Sequence, residues 1–180
     1  MTTNTESKLS PKLMLLFIPV AYFTYLFHEF GHWIGGEVFG NRMTFSLNNV
    51  TTQSGQFLDA SHELYSAIGG PLFTILLSLI FLLIIEKYRT IYAYPIVFFQ
   101  LFCRFFSLVF GGFELQDEAR IARLLGVGEY TIAIIVLLIL FLIVLRASHL
   151  LRINLQKNSY FFTVSTVCIL LVIGTSKLIA

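Results

Sequence analysis

Residues 28–32 read His28-Glu29-Phe30-Gly31-His32, two imidazoles four positions apart with a carboxylate beside the first. On a helix, positions i and i+4 lie about 40° apart, so both rings point to one side and can offer two nitrogens to one metal ion. Metal coordination lowers the pKa of water towards ~7, and a carboxylate at the Glu29 position can take its proton as that water attacks a carbonyl. The chemistry this spacing points to is metal-assisted hydrolysis, with Zn²⁺ as the cation. The motif lies near the end of an uncharged apolar run that starts at Leu13. In hydrocarbon an ionisable side chain costs on the order of 3 kcal/mol or more, so three of them within five positions need a partner.

The elements that must position these residues follow from composition. Hydrophobic residues make up 57% of the 180-residue chain and charged residues 12%, which is outside the range of a soluble globular domain. The chain reads as a multi-pass integral membrane protein, expected in the cell membrane. Apolar stretches long enough to cross ~30 Å of hydrocarbon run at about 13–39, 64–85, 91–110, 130–145 and 160–179, the fourth being short. They lack a period of two, so five transmembrane helices are predicted and the fold class is all-α. The first is expected to stay in the mature protein, because it carries the reactive motif and no small-residue cleavage pattern follows it. The chain divides into a polar tail at 1–12, a membrane core at 13–126 that holds the motif, and two further transmembrane helices at 127–180.

Between the first two spans, Met43-Thr44-Phe45-Ser46-Leu47 alternates apolar and polar, Asn48-Asn49 is a turn signal, and Val50-Thr51-Thr52-Gln53 can return as a second strand. A short β-hairpin and an irregular loop both fit. Cys103 and Cys168 fall inside spans without ligand-like spacing and read as buried thiols. The net charge of +2 and the scattered basic residues give no nucleic-acid signal. Seven Lys and Arg lie on the N-terminal side (Lys8, Lys12, Lys87, Arg89, Arg146, Arg152, Lys157) against four opposite (Arg42, Arg120, Arg123, Lys177), so the positive-inside rule puts the N-terminus in the cytoplasm. Whichever side is inside, chain direction brings residues near 28–36, 62–74 and 104–118 to one end of the bundle.

Catalytic zinc sites usually hold three protein ligands plus water, so two histidines leave one ligand to find. Asp117 is the candidate: it follows the third span on the correct side and opens the amphipathic segment Asp117-Glu118-Ala119-Arg120-Ile121-Ala122-Arg123-Leu124-Leu125, which ends at Gly126. Its competing role is to cap that helix, and Glu114, Glu118, His62 and Glu63 compete for the ligand position. The second span carries Ser66, Gly70, Thr74 and Ser78 at four-residue spacing, with Gly69 and Pro71 adjacent, and the first carries Thr24, His28, Gly31, His32 and Gly35. Such small-residue stripes let helix backbones approach closely, and a bend at Gly69-Gly70-Pro71 is expected to free backbone groups near the metal. Gln100, Arg104, Ser107 and Gly111 share a face of the third span. Arg104 either pairs inside the bundle with Asp117, Glu114 or a substrate carbonyl, or snorkels to the interface.

The motif, the Gly-Pro in the next span and the Asp opening an Arg- and Leu-rich helix after the third resemble the site-2 protease family of intramembrane zinc metalloproteases, over roughly residues 13–126. The resemblance implies that His28, His32 and Asp117 bind Zn²⁺, with Gln116-Asp117-Glu118-Ala119-Arg120-Ile121 looking like a divergent version of the family's third-ligand motif. It further implies that Glu29 is the general base and that a membrane-associated hairpin after the first span offers an edge to an unwound substrate. The chain has Thr74 where the family usually has an Asn three residues after the Gly-Pro, and Glu118 in place of a Gly after the Asp. The family also places its metal nearer the cytosol, opposite to the charge bias, so orientation stays open.

The function expected is hydrolysis of peptide bonds in a transmembrane protein or peptide substrate within the lipid bilayer, with Gly70, Pro71, Thr74 and Arg104 as the substrate-holding candidates. The alternative is a non-hydrolytic binding or regulatory membrane protein that keeps the metal site. A third reading, a metal-ion transporter, leaves the Glu beside the paired histidines without a purpose.

Overall fold

The computed structural model describes residues 10–179, so the expected polar tail lies almost wholly outside the described residues; from Pro11 onward the chain is helical. A short helix α1 (Pro11–Leu15) runs into α2 (Phe17–Glu37), and a β-hairpin follows as β1 (Met43–Ser46) and β2 (Asn49–Thr52). The remaining helices are α3 (Ala60–Tyr88), α4 (Tyr94–Phe110), α5 (Asp117–Leu125), α6 (Thr131–Leu151) and α7 (Leu155–Ile179). Five stretches are long and apolar enough to span a membrane: Pro11–Glu37, Ala60–Tyr88, Ile91–Phe110, Thr131–Leu151 and Leu155–Ile179. The fourth, expected to be short, extends to Leu151 because Arg146, Ser148 and His149 continue the helix beyond the apolar run. Exposed Leu72, Leu83, Ile134, Leu138, Leu142 and Leu170 cover the outside of the bundle, an apolar surface that suits hydrocarbon and would be a liability in water.

The hairpin forms in the expected place, with Ser46 opposite Asn49 and Met43 opposite Thr52. Its turn is therefore Leu47-Asn48, one residue earlier than the Asn-Asn pair predicted. Three contacts anchor it to the bundle: Met43 N–H donates to Glu37 Oε1 at 2.8 Å, and buried Asn41 donates to the Gly36 carbonyl at 3.1 Å while accepting from Leu58 N–H at 2.9 Å.

The bundle has two unlike ends. At the N-terminal end of α2 the core is apolar and aromatic: Phe17 stacks on Phe161 at 5.5 Å, and Tyr94 and Phe98 close on the same ring. Tyr94 donates its hydroxyl to Asn158 Oδ1 at 2.7 Å and lies 2.6 Å from Ser148 Oγ, tying α4, α6 and α7 together. Towards the other end the two small-residue stripes meet. A Cβ on Gly31 would overlap the Gly69 carbonyl, and one on Gly35 would lie 2.7 Å from the Tyr65 carbonyl oxygen. This close approach of α2 and α3 is the packing the stripes predicted.

Helix α3 runs unbroken through Pro71. The proline still lacks an N–H, so the Ala67 carbonyl loses its usual i→i−4 partner. After α4, Gly112 at φ +84° turns the chain in a conformation that favours glycine, and a 3-10 turn over Phe113–Leu115 delivers Asp117 back to the bundle. Gln116 occupies the N-cap position of α5 without a side-chain capping bond, and Asp117 is the first helical residue, so the capping role does not fall to Asp117.

Candidate metal centre

His28, His32 and Asp117 converge. His28 Nε2 lies 3.1 Å from His32 Nε2, and Asp117 Oδ2 lies 3.0 Å from the first and 3.3 Å from the second. Three elements supply the geometry. The i,i+4 spacing on α2 puts both rings on one face, α3 sets their orientation, and the turn after α4 brings in the carboxylate.

The rings are held from behind. His32 Nδ1 lies 2.7 Å from the Ser66 carbonyl oxygen, which can only accept, so Nδ1 carries the proton and the neutral ring presents its Nε2 lone pair to the centre. Ser66 returns a hydrogen bond from its hydroxyl to the His32 carbonyl at 3.0 Å. His28 Nδ1 is 3.0 Å from Thr74 Oγ1, which orients its Nε2 in the same way. Gly70 lies directly under both imidazoles, where any Cβ would overlap them. The glycine there is a space requirement of the site.

Asp117 is fixed by charge. Arg104 Nη1 donates to Asp117 Oδ2 at 3.2 Å and to Glu118 Oε1 at 3.4 Å, and Glu118 is 0% exposed. The guanidinium beside Asp117 Oδ2 favours the ionised carboxylate, which is the form that can ligate a metal.

This donor set fits a small divalent cation. A tetrahedral ion with bonds of ~2.0–2.1 Å needs its ligand atoms about 3.3–3.4 Å apart, close to the three separations found. Two imidazole lone pairs and a carboxylate oxygen this near one another repel unless a proton or a cation stands between them. The neighbourhood also holds three carboxyl groups, Glu29, Asp117 and Glu118, against the guanidinium of Arg104, while the other lining guanidinium, Arg120, lies 3.8 Å from a further carboxylate, Glu63. A divalent cation offsets that excess of negative charge.

Glu29 lines the same cavity, about 310 Å³, and stands outside the hydrogen bonds that tie the imidazoles to α3 and Asp117. The hairpin reaches the cavity through Asn48, Asn49 and Val50, and α7 contributes Ile173. Of the substrate-holding candidates, Thr74 and Arg104 line the cavity but are engaged with His28 and with the two carboxylates. Gly70 contacts the rings through its backbone. Pro71 is buried inside α3.

The competing ligand candidates lie elsewhere or have other partners. Glu118 belongs to Arg104, Glu63 pairs with Arg120 at 3.8 Å, and His62 meets Asn41 at 3.3 Å and stacks on Phe39. Glu114 is exposed on the 3-10 turn. Sequence reasoning missed Tyr25 and Ile173 in the wall, and Glu118 as the second anchor of Arg104. Tyr25 and Glu118 could have been found: Tyr25 is one turn from Glu29 on α2, and Glu118 adjoins the proposed ligand. Nothing in the sequence marks Ile173.

Fold and site thus define a membrane protein of five long apolar helices with a buried His-His-Asp group that could hold a metal ion. No protein-family model, curated protein or solved structure matches the chain.

Proposed function

We propose that the protein is an intramembrane zinc metalloendopeptidase of the kind the site-2 protease resemblance implies, acting in the cell membrane on membrane-spanning peptides. The observation that carries this reading is the convergence of two Nε2 atoms and Asp117 Oδ2 at 3.0–3.3 Å, with the free carboxylate of Glu29 in the same cavity. Nitrogen and oxygen donors in a three-plus-open arrangement favour Zn²⁺. His28, His32 and Asp117 would hold it, and when bound it supplies Lewis acidity that polarises a peptide carbonyl and acidifies water.

Glu29 takes the proton from the attacking water on a carboxylate oxygen and passes it to the leaving amine. The Ser66 carbonyl keeps His32 in the tautomer that presents Nε2, and the Thr74 hydroxyl orients the His28 ring. Arg104 and Glu118 keep Asp117 in place. The substrate must enter unwound, because a helical backbone hides its carbonyls in hydrogen bonds. Asn48, Asn49 and Val50 of the hairpin line the cavity, which supports a reading in which a strand end would lie beside the segment to be cut.

The test uses protein in nanodiscs with a Lys-flanked, Leu- and Ala-rich transmembrane peptide carrying two central glycines between a dye and a quencher. The wild type is expected to hold about one zinc per chain and to cleave the peptide; Glu29→Gln is expected to keep the zinc and lose at least ~100-fold in rate. Equal rates for the two zinc-loaded proteins, or no cleavage by either, would reject the hydrolytic reading and favour a binding or regulatory protein.

A further inference from the structure

Two buried polar side chains face the cavity without a use in the arrangement above. Gln100 on α4 is 1% exposed and Thr24 on α2 is 3% exposed, and both line the cavity. Thr24 Oγ1 has no hydrogen-bond partner among the described residues. Among the described residues, Tyr94 and Arg104 hydrogen-bond from α4 to its neighbours and the Gln100 amide has no such bond. Its position accentuates this: Arg104, one turn further along the same face, is engaged by two carboxylates, and His28, one turn beyond Thr24, is engaged on both ring nitrogens.

A buried amide with no partner opposes folding, since it gives up its hydrogen bonds to water and gains none in return. A packed bundle would be better served at this position by an apolar residue of the same size. An amide that opens onto a polar cavity is suited to a ligand that completes it.

We propose that Gln100, assisted by the Thr24 hydroxyl, is the hydrogen-bonding wall that holds the backbone of the peptide in the cleft. A primary amide offers one acceptor and two donors side by side. That set complements one backbone C=O and one N–H of an extended segment, the two groups that an unwound membrane peptide must satisfy once it leaves its own helix. Recognition of this kind reads the backbone and is indifferent to side chains. The assignment rests on the reading of the site as a peptide hydrolase, and the consequence is that Gln100 contributes to peptide affinity while remaining dispensable for metal binding and for packing.

The experiment measures affinity in zinc-loaded Glu29→Gln protein, which cannot turn over, using the same Lys-flanked peptide with a dye alone and anisotropy as the readout. Gln100→Met replaces the amide by an apolar chain of similar length. The expected result is affinity weaker by about tenfold, zinc content unchanged, and a Tm equal to or above that of the parent because an unpartnered buried amide has been removed. Unchanged affinity, or a lowered Tm that accounts for the loss, gives Gln100 a packing role and overturns the proposal; so does an absence of measurable affinity in the parent. The two readings fail separately. Loss of affinity on Gln100→Met in a protein whose wild type never cleaves would leave the binding wall standing without proteolysis. Glu29-dependent cleavage with affinity indifferent to Gln100 would leave proteolysis standing without the wall.

Discussion

Thr74→Val tests whether α3 tunes the metal centre through a single hydroxyl. The substitution keeps a β-branched side chain of nearly the same shape in a buried site at the α2–α3 contact, and it removes the oxygen 3.0 Å from His28 Nδ1. One neutral hydrogen bond is lost, worth about 0.5–1.5 kcal/mol, and the Nδ1 proton is left buried without an acceptor, at a further ~1–3 kcal/mol. Both penalties fall on the ring orientation that presents Nε2. Since ~1.4 kcal/mol corresponds to a tenfold change, zinc affinity should fall by about 10–100-fold, the range typical of outer partners of metal-bound histidines. The assay is competition for zinc against a fluorescent chelator in nanodiscs. Ser78→Ala serves as the control, because Ser78 Oγ bonds only the Thr74 carbonyl within α3 at 3.0 Å. Affinity of Thr74→Val within about twofold of wild type, or an equal loss in Ser78→Ala, would refute the claim that this hydroxyl acts on the metal through His28.

Two further substitutions probe the space and the charge of the site. Gly70→Ala puts a methyl group into both imidazoles and is expected to abolish zinc binding at micromolar metal while the protein still elutes like the wild type on size exclusion; retained zinc would show that α2 and α3 can separate. Arg104→Met leaves the 0%-exposed Glu118 without its cation, a change worth about 3–5 kcal/mol for a buried pair. Its Tm should fall clearly and be regained in large part by adding Glu118→Gln; a double variant no more stable than Arg104→Met would mean that Glu118 is not the group Arg104 compensates.

Much of this arrangement was legible in the sequence because its signals are coarse and physical. Five apolar runs allow few folds in hydrocarbon, while the alternation around Met43 to Gln53 fitted a hairpin and an irregular loop alike. The two ligands on α2 were legible since helical periodicity alone fixes their relation. Asp117 needed chain direction as well, which fixes the end of the bundle it returns to and leaves the atom it meets undetermined. Thr74 shows where this reasoning stops: a Thr on a small-residue stripe looks like a packing residue or a substrate contact. Only the crossing of α2 and α3 reveals that its hydroxyl serves His28. Glu118 entered the sequence reading only as a rival ligand, and the α4–α5 geometry instead buries it against Arg104.

The division of the bundle into an aromatic end and a polar end explains how such a cluster is tolerated. Three facing acceptors and an excess of carboxylates favour separation of the helices that carry them, and a bundle uniformly soft along its length would relax by splaying. Here the stack of Phe17, Phe161, Tyr94 and Phe98 and the Tyr94 hydrogen bonds lock α2, α4, α6 and α7 at the opposite end, and the Gly31–Gly69 approach locks α2 to α3 beside the site. Held in place in this way, the cluster could hold a cation that relieves the repulsion. The cavity also has a non-helical wall, to which Asn48, Asn49 and Val50 of the hairpin and Gly111, Leu115 and Gln116 of the turn before α5 contribute. On the proposed peptidase reading, a peptide would enter beside the hairpin and that turn, away from the helix faces that carry His28 and His32.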